Sequence, residues 1–163
     1  MSIKIQLIAS KNCHIPYTFV LNNPYNFAHN FFITKYKEMF MEQTARLFLT
    51  GSSLYPAIEL LYRKKTHISM AFAGGTSLCL IDKICNDLLK HKRLPSKCVV
   101  GSFIITGVEL ITGLIVNIFM KKHVWDYSNL PMNIKGQICI PFTVIWGLLT
   151  IPALMVCNLI KHR

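Results

Sequence analysis

Acidic residues are scarce in this chain: seven Asp and Glu stand against eighteen Lys and Arg, a formal net charge of +11. No aromatic-basic repeat or zinc signature accompanies that excess, which argues against a nucleic-acid partner. The six cysteines, at 13, 79, 85, 98, 139 and 157, form no Cys-x-x-Cys and no Cys/His cluster of zinc spacing, so metal and disulfide-exchange chemistry lack candidate ligands. Four of the six lie in or beside apolar runs, where free Cys packs as a small hydrophobe. Gly74-Gly75-Thr76-Ser77 has neither a following Gly-Lys-Ser/Thr nor a preceding strand and is not a phosphate loop. Gly51-Ser52-Ser53 is not a Gly-x-Ser-x-Gly elbow, and no Ser-His-Asp or Cys-His set is readable. The chain therefore reads as a non-enzyme with no cofactor and no metal. At 163 residues it has no room for a separate catalytic domain of ordinary size.

Long apolar stretches dominate instead, with 52% hydrophobic residues and a mean hydropathy of +0.40. Val99 to Met120 has no charged residue except Glu109, and Ile138 to Ile160 has none. Each exceeds the roughly 18 to 20 apolar residues that a helix needs to cross the hydrocarbon core. Thr44 to Tyr62 reads as a first spanning helix, kinked at Pro56, where a neighbour such as Ser52 satisfies the freed carbonyl. Ile68 to Leu89 is a weaker candidate because Asp82, Lys83 and Asp87 crowd its end. The bases cluster at the ends of these runs, as in Arg63-Lys64-Lys65, Lys90-His91-Lys92-Arg93, Lys121-Lys122 and Lys161-His162-Arg163. There they can snorkel to anionic headgroups. His67 and His123 flank helices beside lysines and read as interfacial, solvated residues.

The pattern predicts an all-α fold: a polytopic transmembrane bundle of four helices within residues 44–163, with an interfacial turn between helices three and four. Residues 1–43 hold no long apolar run and no secretory signal. They read as a poorly ordered cytoplasmic arm, or as an extension upstream of a start at Met39 or Met41. With four crossings, the nine bases Lys35, Lys37, Arg46, Lys90, Lys92, Arg93, Lys97, Lys161 and Arg163 fall on the side of the termini and the six bases Arg63, Lys64, Lys65, Lys121, Lys122 and Lys135 on the other, so the positive-inside rule places both termini in the cytoplasm. The localisation read from this is a multi-pass protein of the cytoplasmic membrane, with the lipid bilayer as its first partner.

Carboxylates at membrane depth should face the bundle interior, since each costs about 2.5 to 3.5 kcal/mol to insert. Tyr55, Glu59 and Arg63 share one face, with Glu59 a turn from Arg63. Gly75, Cys79, Asp82 and Asn86 share another, and Thr106, Glu109, Gly113 and Asn117 a third. Glu59, Arg63, Asp82, Glu109 and Asn117 are thus the candidates for a polar core or pathway. Asp82 beside Lys83 reads as an interfacial pair, while Glu109 has no base nearby in its own helix. The Gly-bearing stripes of helices two and three are the candidate interfaces of a homo-oligomer.

Between the last two runs lies Trp125-Asp126-Tyr127-Ser128-Asn129-Leu130-Pro131, followed by Asn133 and Gly136. Trp and Tyr suit headgroup depth, Asp, Ser and Asn shape turns, and Pro131 and Gly136 punctuate helix ends. The expected arrangement is an interfacial turn in which Asp126 bonds backbone donors, Ser128 or Asn129 while Trp125 and Tyr127 anchor it among headgroups.

From Leu54 to about Ile160 the chain resembles a family of small bacterial membrane proteins, the ABC-transporter type IV permeases. The carriers are Ile58-Glu59-Leu60-Leu61-Tyr62-Arg63, His67-Ile68-Ser69-Met70 with Gly74-Gly75, and Glu109-Leu110-Ile111-Thr112-Gly113 with Asn117. The most specific is Val124-Trp125-Asp126-Tyr127-Ser128-Asn129-Leu130-Pro131, followed by Asn133, Gly136-Gln137-Ile138-Cys139, Pro141-Phe142 and Trp146. The resemblance implies a compact membrane protein, and no substrate or catalytic residue comes with it. The expected function is a permease-like transport component without its own ATPase domain, acting as a homo-oligomer, with a larger membrane partner or with a separate ATPase subunit. The alternative is a non-transporting scaffold or accessory subunit.

Overall fold

The computed structural model describes residues 24–161. Four helices carry the chain: α1 (Pro24–Arg63), α2 (Ile68–Ile81), α3 (Leu94–Gly113) and α4 (Ile140–Lys161). Two of them continue in wider π-helical turns, α2 through Asp82–Leu88 and α3 through Leu114–Phe119. A short antiparallel hairpin, β1 (Asn133–Ile134) with β2 (Ile138–Cys139), precedes α4 and pairs Asn133 with Cys139 and Ile134 with Ile138.

The fold is all-α apart from that hairpin, and three helical stretches are long and apolar enough to cross a membrane: Ile68–Leu88, Leu94–Phe119 and Ile140–Lys161. The first helix is not one of the three. Its apolar stretch is interrupted by Arg46, Gly51, Ser52, Ser53 and Glu59, which lower its hydropathy even though it has ample length. Residues 1–23 of the expected N-terminal arm lie outside the described residues, and its residues 24–43 are helical, as the first half of α1.

The chain divides into two compact units between Phe40 and Met41. In the first, the described part is the opening of α1, where Phe31 meets Phe32 edge-on at 6.2 Å. The second unit holds the bundle. Its main apolar cluster is Ile81, Cys85, Ile105, Trp146 and Leu154, and a smaller one joins Leu47, Leu78 and Cys157. Large apolar side chains such as Phe103, Ile111, Phe119, Leu148 and Leu159 point away from these clusters and stay exposed on the protein. That inversion, polar groups inside and apolar groups outside, is what a lipid solvent favours.

Local chemistry sets the helix ends. His67 caps α2, its Nδ1 accepting from the Ser69 amide at 3.2 Å, so it is a half-buried cap rather than a freely solvated interfacial residue. Pro95 sits in the first turn of α3, where its missing N–H leaves no gap. Lys64 ends α1 in the left-handed region at φ 57°, its amide bonded to the Leu60 carbonyl.

Close approach of α1 and α2 depends on glycine. A Cβ on Gly74 would strike the Gly51 carbonyl and the Tyr55 side chain, and one on Gly51 would strike the Gly74 carbonyl. Gly101 of α3 meets Thr150 of α4 in the same manner. Of the glycines in the two stripes expected to join copies of the chain, Gly75 meets Ser52 and Phe48 and Gly113 meets Gln137 and Trp125 within one chain, whereas Gly107 of α3 faces open space. Ser52 also departs from expectation: its buried hydroxyl bonds nothing among the described residues and relieves no carbonyl at Pro56.

Candidate functional site

Glu109 projects from the last turns of α3, just before its π-helical continuation, and is only 2% exposed. Its Oε1 accepts from the Tyr127 hydroxyl at 2.9 Å, and its Oε2 accepts from the Trp146 indole N–H at 2.8 Å. Both donors are neutral and come from other elements, one from the segment between α3 and α4 and the other from α4. Tyr127 stacks on Phe142 with ring centroids 4.7 Å apart, and Trp146 lies against Tyr55 of α1 at 5.6 Å. Burial and the adjacent Glu109 carboxylate hold the Tyr127 phenol well above its ordinary pKa, so it remains a proton donor across the physiological range.

A second buried carboxylate lies at the end of α1. Arg63 Nη1 donates to Glu59 Oε1 at 3.0 Å, and the Thr66 hydroxyl donates to Glu59 Oε2 at 2.6 Å. Arg63 Nη2 also reaches across to the Val124 carbonyl at 2.6 Å. The guanidinium thus compensates a buried carboxylate and ties α1 to the far segment with two different N–H groups.

That segment hangs on Asn117, in the π-helical end of α3. Its Nδ2 donates to the Trp125 carbonyl at 2.9 Å and to Gln137 Oε1 at 2.8 Å, while its Oδ1 accepts from the Val124 amide at 2.7 Å. The Trp125 indole donates to the Gln137 carbonyl at 3.0 Å. Trp125 is 3% exposed, so it is an internal strut and not a headgroup anchor. The reason is that its one polar group, the indole N–H, already has a partner inside the protein.

Asp126 behaves partly as the sequence led one to expect. It accepts from the Ser128 amide and hydroxyl, which hold its carboxyl below the usual range, but Asn129 is not among its described partners. The carboxylate lies on the surface, so it shapes a turn without satisfying buried donors. Asn133 closes the next turn by donating to the Ser128 and Leu130 carbonyls and accepting from the Gly136 amide. Gly136 sits at φ 68°, where a Cβ would meet the Asp126 carboxylate and the Ser128 hydroxyl. Pro131 is exposed in the loop between them.

Asp82 is placed differently from its expected pairing with Lys83. It is buried at the start of the π-helical turns, and Lys161 Nζ of α4 meets it at 3.0 Å while also meeting Asp87 at 2.7 Å. Lys83 points outward instead. Asn86 donates to Asp82 across one turn at 3.0 Å. Asp82 therefore lies in a separate network from Glu59, Arg63, Glu109 and Asn117, which the bundle gathers toward the Val124 to Gln137 end.

A cavity of about 440 Å³ runs between these groups and the bundle interior. Tyr62, Glu59, Arg63 and Tyr127 line it together with apolar side chains such as Ile58, Ile145, Leu149 and Val156. Ser77 is another lining residue, and its buried hydroxyl bonds nothing among the described residues. No group of three or more His, Cys, Asp or Glu side chains converges among the described residues in a way that could hold a metal ion.

Buried polar groups, apolar outer faces and three membrane-length helices define a helical membrane protein of a transport-related class. Residues 65–162 match the family described as "Putative ABC-transporter type IV", and the chain belongs to that family. No curated protein and no solved structure matches it. The family match takes in Asp82, Glu109, Asn117 and the whole Val124 to Gln137 segment, while Glu59 and Arg63 precede it.

Sequence reasoning missed Gln137, Trp146 and Tyr127 as partners of the polar core, and Lys161 as the partner of Asp82. Gln137 carried one usable signal. It is an amide next to a turn glycine and at the edge of an apolar run, where an unpaired polar side chain would be costly.

Proposed function

We propose that this chain is a permease-like transport component without an ATPase domain or an enzymatic activity of its own. In this reading it makes four crossings of the cytoplasmic membrane with both termini inside. It works as a homo-oligomer or with a larger partner, a separate ATPase subunit among them. The observation that carries the reading is Glu109: a buried carboxylate held only by neutral donors, at the junction of two membrane-length helices and the segment that joins them. A carboxylate hydrogen-bonded only to neutral donors can gain or lose a proton with little rearrangement, whereas one locked to Arg in a direct ion pair is fixed in charge.

The scaffold reading draws on Glu59. Both of its oxygens are occupied within the chain, by Arg63 and Thr66, as interhelical glue requires.

Glu109→Gln separates the two. The amide oxygen can still accept from Trp146, and the Tyr127 hydroxyl can turn to accept from the new NH₂, so insertion and folding persist at a cost of about 1 kcal/mol. In reconstituted vesicles a transport component should then lose or alter its proton- or ion-dependent solute movement. A scaffold should change only in detergent stability or oligomer size. A variant that matches its parent in both respects removes Glu109 from either role.

A further inference from the structure

The Arg63 end of the cavity is strongly basic. Lys64 and Lys65 follow Arg63 directly, and Lys121, Lys122 and His123 precede Val124, whose carbonyl Arg63 holds. All five are exposed, and among the described residues none of these lysines is in an ion pair. Arg63 itself is compensated by Glu59, so the net charge displayed at this end comes from the lysines. Lys64, Lys121 and His123 also hold left-handed backbone, at φ 57°, 53° and 48°, a conformation that bulky residues adopt only when their surroundings impose it.

None of these lysines lines the apolar cavity of about 440 Å³. Arg63 does line it, is followed directly by Lys64 and Lys65, and bonds the carbonyl of Val124, two residues after Lys122. The cavity is within the range of roughly 300 to 1,000 Å³ typical of small-molecule sites. Its walls are Leu, Ile, Val, Phe and Trp side chains from α1, α2 and α4, and its polar groups Glu59, Arg63 and Tyr127 gather beneath the rim. A soluble anion would leave the apolar walls unused. A neutral hydrocarbon would leave the lysines unused. An anionic amphiphile complements both.

We propose that the cavity is a binding site for a glycerophospholipid with an anionic headgroup, one acyl chain lying along the α1–α4 wall and the phosphate meeting Lys64, Lys65, Lys121 and Lys122. Lipid as cargo rests on the permease-like reading above, whereas lipid occupancy stands without it. Each basic residue near a phosphate raises local occupancy about fivefold, so selectivity against a zwitterionic headgroup should come from the lysines and depth of insertion from the cavity.

The test uses the full chain in nanodiscs containing phosphatidylglycerol that carries a diazirine on one acyl chain. Parallel discs contain phosphatidylcholine with the same chain. After photolysis, the labelled residues are mapped by peptide mass spectrometry. The expected result is label on Tyr55, Leu149 and Val156, lining residues of α1 and α4 that are not exposed on the outer surface, at least about fivefold stronger from phosphatidylglycerol. Replacing Lys64, Lys65, Lys121 and Lys122 together by Gln alters only exposed side chains and should bring the phosphatidylglycerol label down to the phosphatidylcholine level. Ala153→Phe, which narrows the cavity from its α4 wall, should weaken wall label from both lipids. Equal labelling by the two lipids, or label confined to outward residues such as Leu61, Leu148 and Leu159, would overturn the site. That result would leave the permease reading to the Glu109 experiment. Selective wall label in a protein that moves no solute would uphold the site and remove its role as a cargo path.

Discussion

Asn117 makes three hydrogen bonds with one side chain, two of them to backbone groups of the segment it supports. Replacing it with Ala would strand the Val124 amide, the Trp125 carbonyl and one face of Gln137 in a buried setting, at about 1 to 3 kcal/mol for each unsatisfied group. Asn117→Ala should therefore lower thermal stability in detergent far more than Asp126→Ala, since the Ser128 donors that Asp126 serves can turn to water. Equal losses for the two variants would contradict this ranking. Ser77 gives the opposite expectation. Its hydroxyl is buried without a partner, so Ser77→Ala should raise stability by about 1 kcal/mol, read as a higher melting temperature. At this scale the sequence was legible where partners are local: Glu59 and Arg63 stand four residues apart on one helix face. It was illegible for Glu109, whose donors lie 18 and 37 residues downstream, because no periodicity encodes a contact between elements. Trp125 misled for a related reason, since its composition suits an interface until Gln137 supplies a partner for its indole.

Three of the four helices were readable from hydropathy, whereas α1 begins at Pro24, well before its expected start at Thr44. The separation of the helices is set by glycine. Gly74 leaves no space for a side chain because the obstacle opposite it is the Gly51 backbone, which cannot move aside as a flexible side chain would. Gly74→Leu should cost more than the roughly 1 to 3 kcal/mol of ordinary overpacking and loosen α1 from α2, measurable as a large fall in melting temperature. Gly107 provides the contrast. Nothing lies within 4 Å of a Cβ built there, so Gly107→Ala should be neutral or gain up to about 1 kcal/mol of helix propensity. A destabilised Gly107→Ala would show that its face is occupied in the membrane. The π-helical turns escaped the sequence reading, which carries no term for an extra residue per turn. They coincide with Asp82, Asn86 and Asn117, where side chains reach partners outside the straight helical ladder.

For the whole molecule, membership of the family and the helical membrane fold were both legible, because apolar runs and the Trp125 block survive without knowledge of contacts. Topology depends on a narrow charge margin and on α1, which is less apolar than the other three helices. With four crossings, reporter fusions at the C-terminus and in the turn after Arg63 should mark opposite sides of the membrane, with the C-terminal reporter cytoplasmic. Both reporters on one side would mean that the number of crossings between them is even. The Lys161 contacts with Asp82 and Asp87 bear on the same question. They bind the last turn of α4 to the end of α2, so those two ends share one membrane face in any topology that preserves the fold.

The position of Glu109 also governs the order in which the protein can be built. When Glu109 emerges from the ribosome, the Tyr127 hydroxyl and the Trp146 indole trail it by 18 and 37 residues and are not yet free to bond it. A carboxyl in lipid without partners is costly, so α3 alone is a poor guest for the bilayer. It gains a settled place only when α4 arrives with Trp146. Biogenesis of the bundle is therefore expected to commit α3 and α4 as a pair, and Trp146→Phe, which removes the indole donor, should lower the yield of inserted α3 in a co-translational insertion assay.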